Sequence, residues 1–154
     1  MHFHPLNNFM KKYDYTICAL SDEDEEEIRF YQNDMLFGCN SMFREIGDVF
    51  PDDKYLIKKT KKVDTIVKEK GYKQPDLIKI DVQGAEQRVL RGSLETLKKT
   101  KYLIVELQHV NYNDGAPLVH ETIQWLEDIG FKCIAPRFSD NGPDSDYCFK
   151  NTKI

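Results

Sequence analysis

The chain has 154 residues, of which 40% are apolar and 31% charged, and its net charge is −4. This length and composition predict one globular domain, residues 1–154, with a core of its own. The lack of a basic excess argues against a nucleic-acid partner. No apolar run approaches the ~18 residues that span a bilayer, so no membrane partner is expected. Residues 1–8 lack the charged-then-apolar order of a signal peptide, which predicts a cytoplasmic protein.

The first third of the chain predicts strands separated by irregular segments. Tyr15–Leu20 is rich in strand-forming residues. Residues 21–27 carry six carboxylates, which predicts a solvated loop because like charges repel one another. Residues 28–60 then predict a hairpin interrupted by a loop. Its parts are a strand at Ile28–Gln32, a loop at Asn33–Asp53 and a returning strand at Lys54–Lys59.

Beyond residue 60, apolar periodicity alternates between helix and strand, which predicts an α/β fold. Such alternation favours a mostly parallel sheet with helices on both faces. The turn residues at Asn141–Pro143 leave no room for a crossover helix, so the last strand should be antiparallel to its neighbour. The predicted helices are Val63–Gly71, Gly84–Lys99 and Pro117–Ile129. The predicted strands are Leu77–Val82, Tyr102–Leu107, Phe131–Ala135 and Asp146–Lys150.

One stretch carries a family resemblance. Pro75–Leu90 reads PDLIKIDVQGAEQRVL and resembles the strand–helix junction of FkbM-type methyltransferases. The IVEL strand that ends at Leu107, the Phe3-His4-Pro5 segment and the strand end at Ala19–Asp22 are also similar to that family. The resemblance covers nearly the whole chain. It implies a Rossmann-like fold, S-adenosylmethionine as cofactor, and methylation of a hydroxyl on a small molecule or carbohydrate.

Several polar residues follow the predicted strands. In open parallel sheets, ligands bind beyond the carboxyl ends of the strands. Asp81 and Gln83 follow one strand, while Glu106 and His109 end the next, so we expect these side chains to converge. Asp81 and His109 are candidate bases that remove a proton from the acceptor hydroxyl, with Glu106 as a third catalytic candidate. Asp81 and Glu106 could instead hold a divalent metal ion that acidifies the hydroxyl.

Ordinary structural roles compete with each of these assignments. Asp81 could cap the following helix, and Glu86 could stabilise the positive end of that helix. Glu106 could pair with a nearby lysine, and His109 could be an ordinary loop histidine. Gly92 lies inside a predicted helix, where glycine costs ~1 kcal/mol against alanine, which favours a close packing contact there.

The sequence departs from the family pattern in two places. The resemblance implies cofactor binding by His4, Asp22, Asp81 and Gln83, yet His4 stands where an acidic residue would bind the ribose. Neutral imidazole accepts one hydrogen bond and cannot make the paired contact of a carboxylate. The first strand and glycine-rich loop of the family are also missing from this sequence, so the domain is expected to be partial.

Three explanations account for these departures. The chain could be a shortened form of an active enzyme, a degenerate paralogue, or a homo-oligomer that completes the sheet between subunits. The leading hypothesis is an S-adenosylmethionine-dependent methyltransferase. The alternative is a catalytically inactive remnant of that fold that serves as a binding or interaction module.

Overall fold

A computed structural model describes residues 13–32, 37–47, 54–140 and 142–154. Within these ranges the chain forms two β-sheets and four α-helices. The strands are β1 (Ala19–Leu20), β2 (Glu27–Tyr31), β3 (Tyr55–Lys61), β4 (Leu77–Ile80), β5 (Tyr102–Gln108), β6 (Phe131–Asp140) and β7 (Asp144–Asn151). The helices are α1 (Val63–Lys70), α2 (Glu86–Arg91), α3 (Leu94–Leu97) and α4 (Val119–Asp128), with a 3-10 turn at Phe37–Cys39.

The larger sheet has the strand order β4-β5-β7-β6. Strands β4 and β5 are parallel, whereas β7 lies between β5 and β6 and is antiparallel to both. The predicted late antiparallel strand is therefore confirmed. Strands β4, β5 and β6 run in one direction and only β7 opposes them, although the interior position of β7 makes two of the three pairings antiparallel. A connection as short as the one before β7 can only reverse the chain direction.

The main core lies on the larger sheet. Strand β5 buries alternate residues, as a pleated strand does, and helices α2, α3 and α4 supply the leucines and the valine that pack with them. Leu90, Leu103, Val105, Leu126 and Phe149 have no exposed surface. The other members of this buried cluster are Ile80, Val89, Leu97, Leu107, Phe131 and Tyr147.

The smaller sheet has the order β1-β3-β2. Strands β2 and β3 are antiparallel, which confirms the predicted hairpin within residues 28–60. Strand β3 also pairs in parallel with β1, so the returning strand forms the centre of this sheet. The predicted strand Tyr15–Leu20 is reduced to Ala19–Leu20. Tyr15 and Ile17 are exposed, because no described strand pairs with them.

The predicted helix Gly84–Lys99 is wrong in its extent, since two short helices replace it. The break falls at Gly92, where a Cβ atom would lie 2.0 Å from the carbonyl oxygen of Ser21. The close packing expected of this glycine is thus confirmed. The carboxylate of Asp64 then accepts hydrogen bonds from the backbone N–H groups of Glu95 and Thr96, both at 2.8 Å. This distant side chain starts α3 as a separate helix.

The acidic residues 21–27 are not the simple solvated loop that their charge predicts. Arg88 forms ion pairs with Asp22 at 2.7 Å and with Glu26 at 2.5 Å. Asp24 accepts hydrogen bonds from the Lys62 N–H at 2.8 Å and the Thr65 hydroxyl at 2.7 Å. Cations and donors from later in the chain therefore offset the repulsion, and they join the smaller sheet to α1 and α2.

None of the helices in the described ranges is long and apolar enough to cross a membrane.

Candidate active site

The carboxyl ends of β4 and β5 bring three of the predicted site residues together. The side-chain amide of Gln83 donates hydrogen bonds to Asp81 Oδ1 and to Glu106 Oε2, both at 3.1 Å. The register of the parallel pair explains this contact, because Ile80 lies opposite Val105 and the residues that follow each strand are neighbours. The expected convergence of these side chains is therefore observed, while their chemical roles stay predictions.

The charge of Asp81 is balanced by Lys79. The ammonium group of Lys79 donates to Asp81 Oδ2 at 2.9 Å. Partial burial would raise the pKa of Asp81, but the hydrogen bonds from Lys79 and its other polar neighbours outweigh that effect and lower the pKa. Asp81 is therefore ionised at neutral pH and can accept a hydrogen bond from a ligand hydroxyl. The Asp81 carboxylate accepts its hydrogen bonds from the side chains of Lys79 and Gln83. A helix cap would accept from backbone N–H groups, so Asp81 does not cap the following helix.

Asp146 is a site residue that the sequence analysis missed. It lies opposite Glu106 across the β5–β7 pair. Its Oδ1 atom is buried and accepts no hydrogen bond in the described structure, with Lys79 Nζ 3.7 Å away. The sequence signal that could have found Asp146 is an acidic residue inside the predicted last strand. Among the described residues, no set of three His, Cys, Asp or Glu side chains is arranged to hold a metal ion.

A tight turn carries Gln83 to the site. Gln83 and Gly84 both have positive φ angles, 53° and 94°, and a Cβ atom on Gly84 would lie 2.9 Å from the Cβ atom of Ala116. Glu86 is only 6% exposed, and its Oε1 atom accepts the N–H groups of Val82 at 3.0 Å and of Gly84 at 3.2 Å. Burial raises the pKa of Glu86 to about 7, although these backbone hydrogen bonds act to lower it.

His109 belongs to a neighbouring polar group. Its Nε2 atom lies 2.9 Å from the hydroxyl oxygen of Ser145, and Tyr112 donates a 2.6 Å hydrogen bond to Asp144. Burial raises the pKa of Asp144, and the negative charge of Asp81 adds to this effect. No hydrogen bond in the described structure links His109 to Asp81 or Glu106, so its candidacy as a base stays a prediction.

Asp22, another predicted cofactor-binding residue, makes its contacts apart from this group. Asp22 accepts a 2.7 Å hydrogen bond from Arg88 Nε and a 2.9 Å hydrogen bond from the Ser21 hydroxyl. Burial would raise the pKa of Asp22, but these two donors outweigh it and lower the pKa. Asp22 therefore joins the smaller sheet to α2, a contact that periodicity could not indicate. His4 lies outside the described residues.

A cavity of about 370 Å³ opens between the two sheets at this edge. The end of β1, the segment at residues 38–42 and the turn after β4 form its walls. The hydroxyl of Ser41 donates a 2.6 Å hydrogen bond to the Gln83 carbonyl oxygen, which fastens the segment to the turn. Polar and apolar lining residues include Leu20, Phe30, Ser41, Met42, Asp81 and Gln83. The cavity can hold a ligand against the Asp81 carboxylate and the Gln83 side chain, which links Asp81 to Glu106.

Comparison with known proteins agrees with the sequence resemblance. The family model described as the methyltransferase FkbM domain matches residues 1–133. A 2-O-methyltransferase, NoeI from Sinorhizobium fredii (strain NBRC 101917 / NGR234), is 32% identical over 95 residues. The aligned part covers 62% of this chain and 37% of that relative. No solved structure matches the chain significantly.

Proposed function

The chain belongs to the FkbM methyltransferase family, and we propose that its reaction is S-adenosylmethionine-dependent O-methylation. The observation that carries the proposal is the pair of carboxylates that Gln83 bridges: Asp81, which lines the cavity together with Gln83, and Glu106 behind them. A hydroxyl acceptor needs its oxygen oriented and its proton removed. A carboxylate within hydrogen-bond reach of the hydroxyl can do both.

We assign the roles as follows. Asp81, ionised through its contact with Lys79, accepts the hydrogen bond and then the proton of the acceptor hydroxyl. Gln83, through its hydrogen bonds to Asp81 and Glu106, fixes the orientation of the Asp81 carboxylate toward that hydroxyl. His109 directly follows β5 and is a second candidate base. These assignments extend the observed geometry to chemistry.

The cavity suits the cofactor in part. S-adenosylmethionine, when bound, supplies a methyl group on a positively charged sulfur. Asp81 and Gln83 lie on the cavity wall and could hold polar groups of the cofactor. Asp146, opposite Glu106, lies beside this group, with its Oδ1 atom 3.7 Å from Lys79 Nζ. We propose the acceptor to be a small molecule or carbohydrate, with no nucleic-acid or membrane partner, and we place the reaction in the cytoplasm.

A finer description of the fold belongs to the same proposal. We infer a Rossmann-like sheet whose first strand is absent from the described residues, with helices on both faces. It is supported by an edge of β4 that no described strand pairs with. A groove of about 270 Å³ beside this edge is lined by Leu20, Val63, Ile78 and Val89, among others. A strand placed there, from this chain or from a second copy, would join the two sheets.

Calorimetric titration of the chain with S-adenosylhomocysteine tests the proposal. We expect micromolar binding, weakened about tenfold by Asp81→Asn because the Gln83 amide and the Lys79 ammonium lose an anionic acceptor. The matched control is Asp76→Asn, since Asp76 is an exposed carboxylate at the opposite end of β4. Loss of affinity in the control alone would contradict the site assignment.

Methyl transfer to a panel of sugars and small alcohols tests the reaction itself. We expect Asp81→Asn to lower the turnover of any acceptor about 10²-fold or more. A folded chain that binds no S-adenosylhomocysteine would sink the enzymatic proposal and favour the alternative, a binding or interaction module on an inactive methyltransferase fold.

A further inference from the structure

Gln83 holds the two carboxylates together from an uncommon backbone conformation. Its φ angle of 53° lies in the left-handed region, which costs a residue with a side chain about 1 kcal/mol or more. From this conformation its amide reaches Asp81 on one strand end and Glu106 on the next. A strained residue persists only when its surroundings hold it in place. The contacts that hold Gln83 therefore matter for the site.

Those contacts converge on the turn from both sides. Glu86 accepts the backbone N–H of Val82 and that of Gly84, the residues on either side of Gln83. On the opposite side, the Ser41 hydroxyl donates to the Gln83 carbonyl oxygen at 2.6 Å. Both Glu86 and Ser41 are buried, so water cannot readily replace either contact. One carboxyl oxygen thus accepts hydrogen bonds from two backbone N–H groups of the turn at once.

We propose that Glu86 is a positioning residue for the reaction proposed above. By accepting the Val82 and Gly84 amides, it keeps Gln83 in the conformation from which the amide bridges Asp81 and Glu106. Glu86 therefore acts on the ligand indirectly, through the conformation of this turn. The inference rests on the proposed function, since it concerns the orientation of the same carboxylates.

The ionisation state of Glu86 should make this positioning depend on pH. The titratable groups that interact electrostatically with Glu86 are Asp81, after β4, and Tyr112, after β5. The pKa of Asp81 is lowered and that of Tyr112 is raised, so neither titrates near neutrality. Glu86, with its pKa raised to about 7, does. Burial outweighs these hydrogen bonds in setting the pKa, so the folded turn favours the protonated carboxyl group and is weakened as the pH rises through about 7.

The test compares Glu86→Gln, which keeps a neutral acceptor, with Glu86→Ala, which removes it. Glu127→Ala, which removes an exposed carboxylate from α4, is the control. Hydrogen exchange of the Val82 and Gly84 amides, measured by NMR, reports on the turn without any ligand. We expect Glu86→Ala to reduce their protection about tenfold or more, and Glu86→Gln to restore most of it. Unchanged protection in a folded Glu86→Ala variant would overturn the proposal.

Calorimetry with S-adenosylhomocysteine at about pH 6 and about pH 8, one unit on either side of the Glu86 pKa, gives the second readout. We expect the wild type to bind roughly threefold or more tightly at the lower pH, at which Glu86 is protonated, and Glu86→Gln to bind equally at both. The same pH dependence in both proteins would refute the role of Glu86. If the wild type binds no S-adenosylhomocysteine, the proposed function fails. The hydrogen-exchange experiment still tests whether Glu86 holds the turn.

Discussion

The two sheets of this protein are stabilised by different forces. The larger sheet encloses side chains with no exposed surface, such as Phe149 and Leu90. The smaller sheet leaves Leu56 and Ile57 of its central strand 51% and 59% exposed. Burial of apolar area supplies roughly 25 cal/mol per Å², so the larger sheet has most of this stabilisation. The smaller sheet must depend more on its attachment to the rest of the chain.

That attachment is mostly polar. Arg88 pairs with two carboxylates of the acidic segment, Asp24 accepts hydrogen bonds at the start of α1, and Gly92 packs against the Ser21 backbone. Polar contacts of this kind are specific in geometry but weaker than a buried apolar core. The candidate site lies where the two sheets meet, so its shape depends on the weaker set of contacts.

The largest contrast should come from truncating one residue on each sheet. Phe149→Ala should lower the free energy of unfolding by about 3–5 kcal/mol, because it leaves a cavity in the core. Leu56→Ala should change it by no more than about 0.5 kcal/mol, because half of that side chain is already in water. Urea unfolding followed by circular dichroism measures both. Similar losses would refute the proposed difference between the sheets.

A pH titration of stability addresses the site edge of the larger sheet. The pKa of Glu86 is raised from 4.5 to about 7 in the folded protein, so the folded state binds a proton that the unfolded state has already lost between these values. Stability should therefore fall by about 3 kcal/mol as pH rises from about 4.5 to about 7, and level off above. Thermal unfolding across this range should show a flatter curve for Glu86→Gln. Parallel curves for the two proteins would contradict the assignment.

Gly92→Ala tests the contact between the sheets. The added Cβ atom would lie 2.0 Å from the Ser21 carbonyl oxygen, so the backbone must shift, at a cost of about 1–3 kcal/mol in unfolding free energy. Gly38→Ala is the control, because a Cβ atom there meets nothing within 4 Å. Chemical denaturation of the two variants makes the comparison, and equal effects would mean that the sheets tolerate displacement.

Arg88→Met should lower the free energy of unfolding by only about 1 kcal/mol at neutral pH, because its partly exposed ion pairs are screened by solvent. The pKa of Asp22 is lowered in the folded protein. Its contribution is therefore present above its ordinary pKa of 3.8 and is lost as pH falls through the lower folded value. Denaturation midpoints for variant and wild type should converge below about pH 4 and in high salt. A gap that persists in acid would point to lost packing rather than lost charge.

Local sequence signals predicted much of the fold. Helix α1 follows from the apolar spacing that begins at Val63, and it ends at Gly71 because glycine adopts the left-handed conformation there. The β2–β3 hairpin and the antiparallel last strand follow from alternation and turn residues. At the site, the register of parallel strands was enough to expect Asp81 and Glu106 to be neighbours.

The amino-acid sequence by itself determined the periodic elements, the family, and which side chains end β4 and β5. The tertiary structure decided the break at Gly92, the partners of the acidic segment, the pairing of β1 with β3, and the place of Asp146 opposite Glu106. The physical reason is the distance along the sequence over which each interaction acts. Periodicity and turn chemistry act within about one helix or hairpin. By contrast, the Arg88–Asp22 contact joins residues 66 positions apart, and it forms only once both sheets are packed.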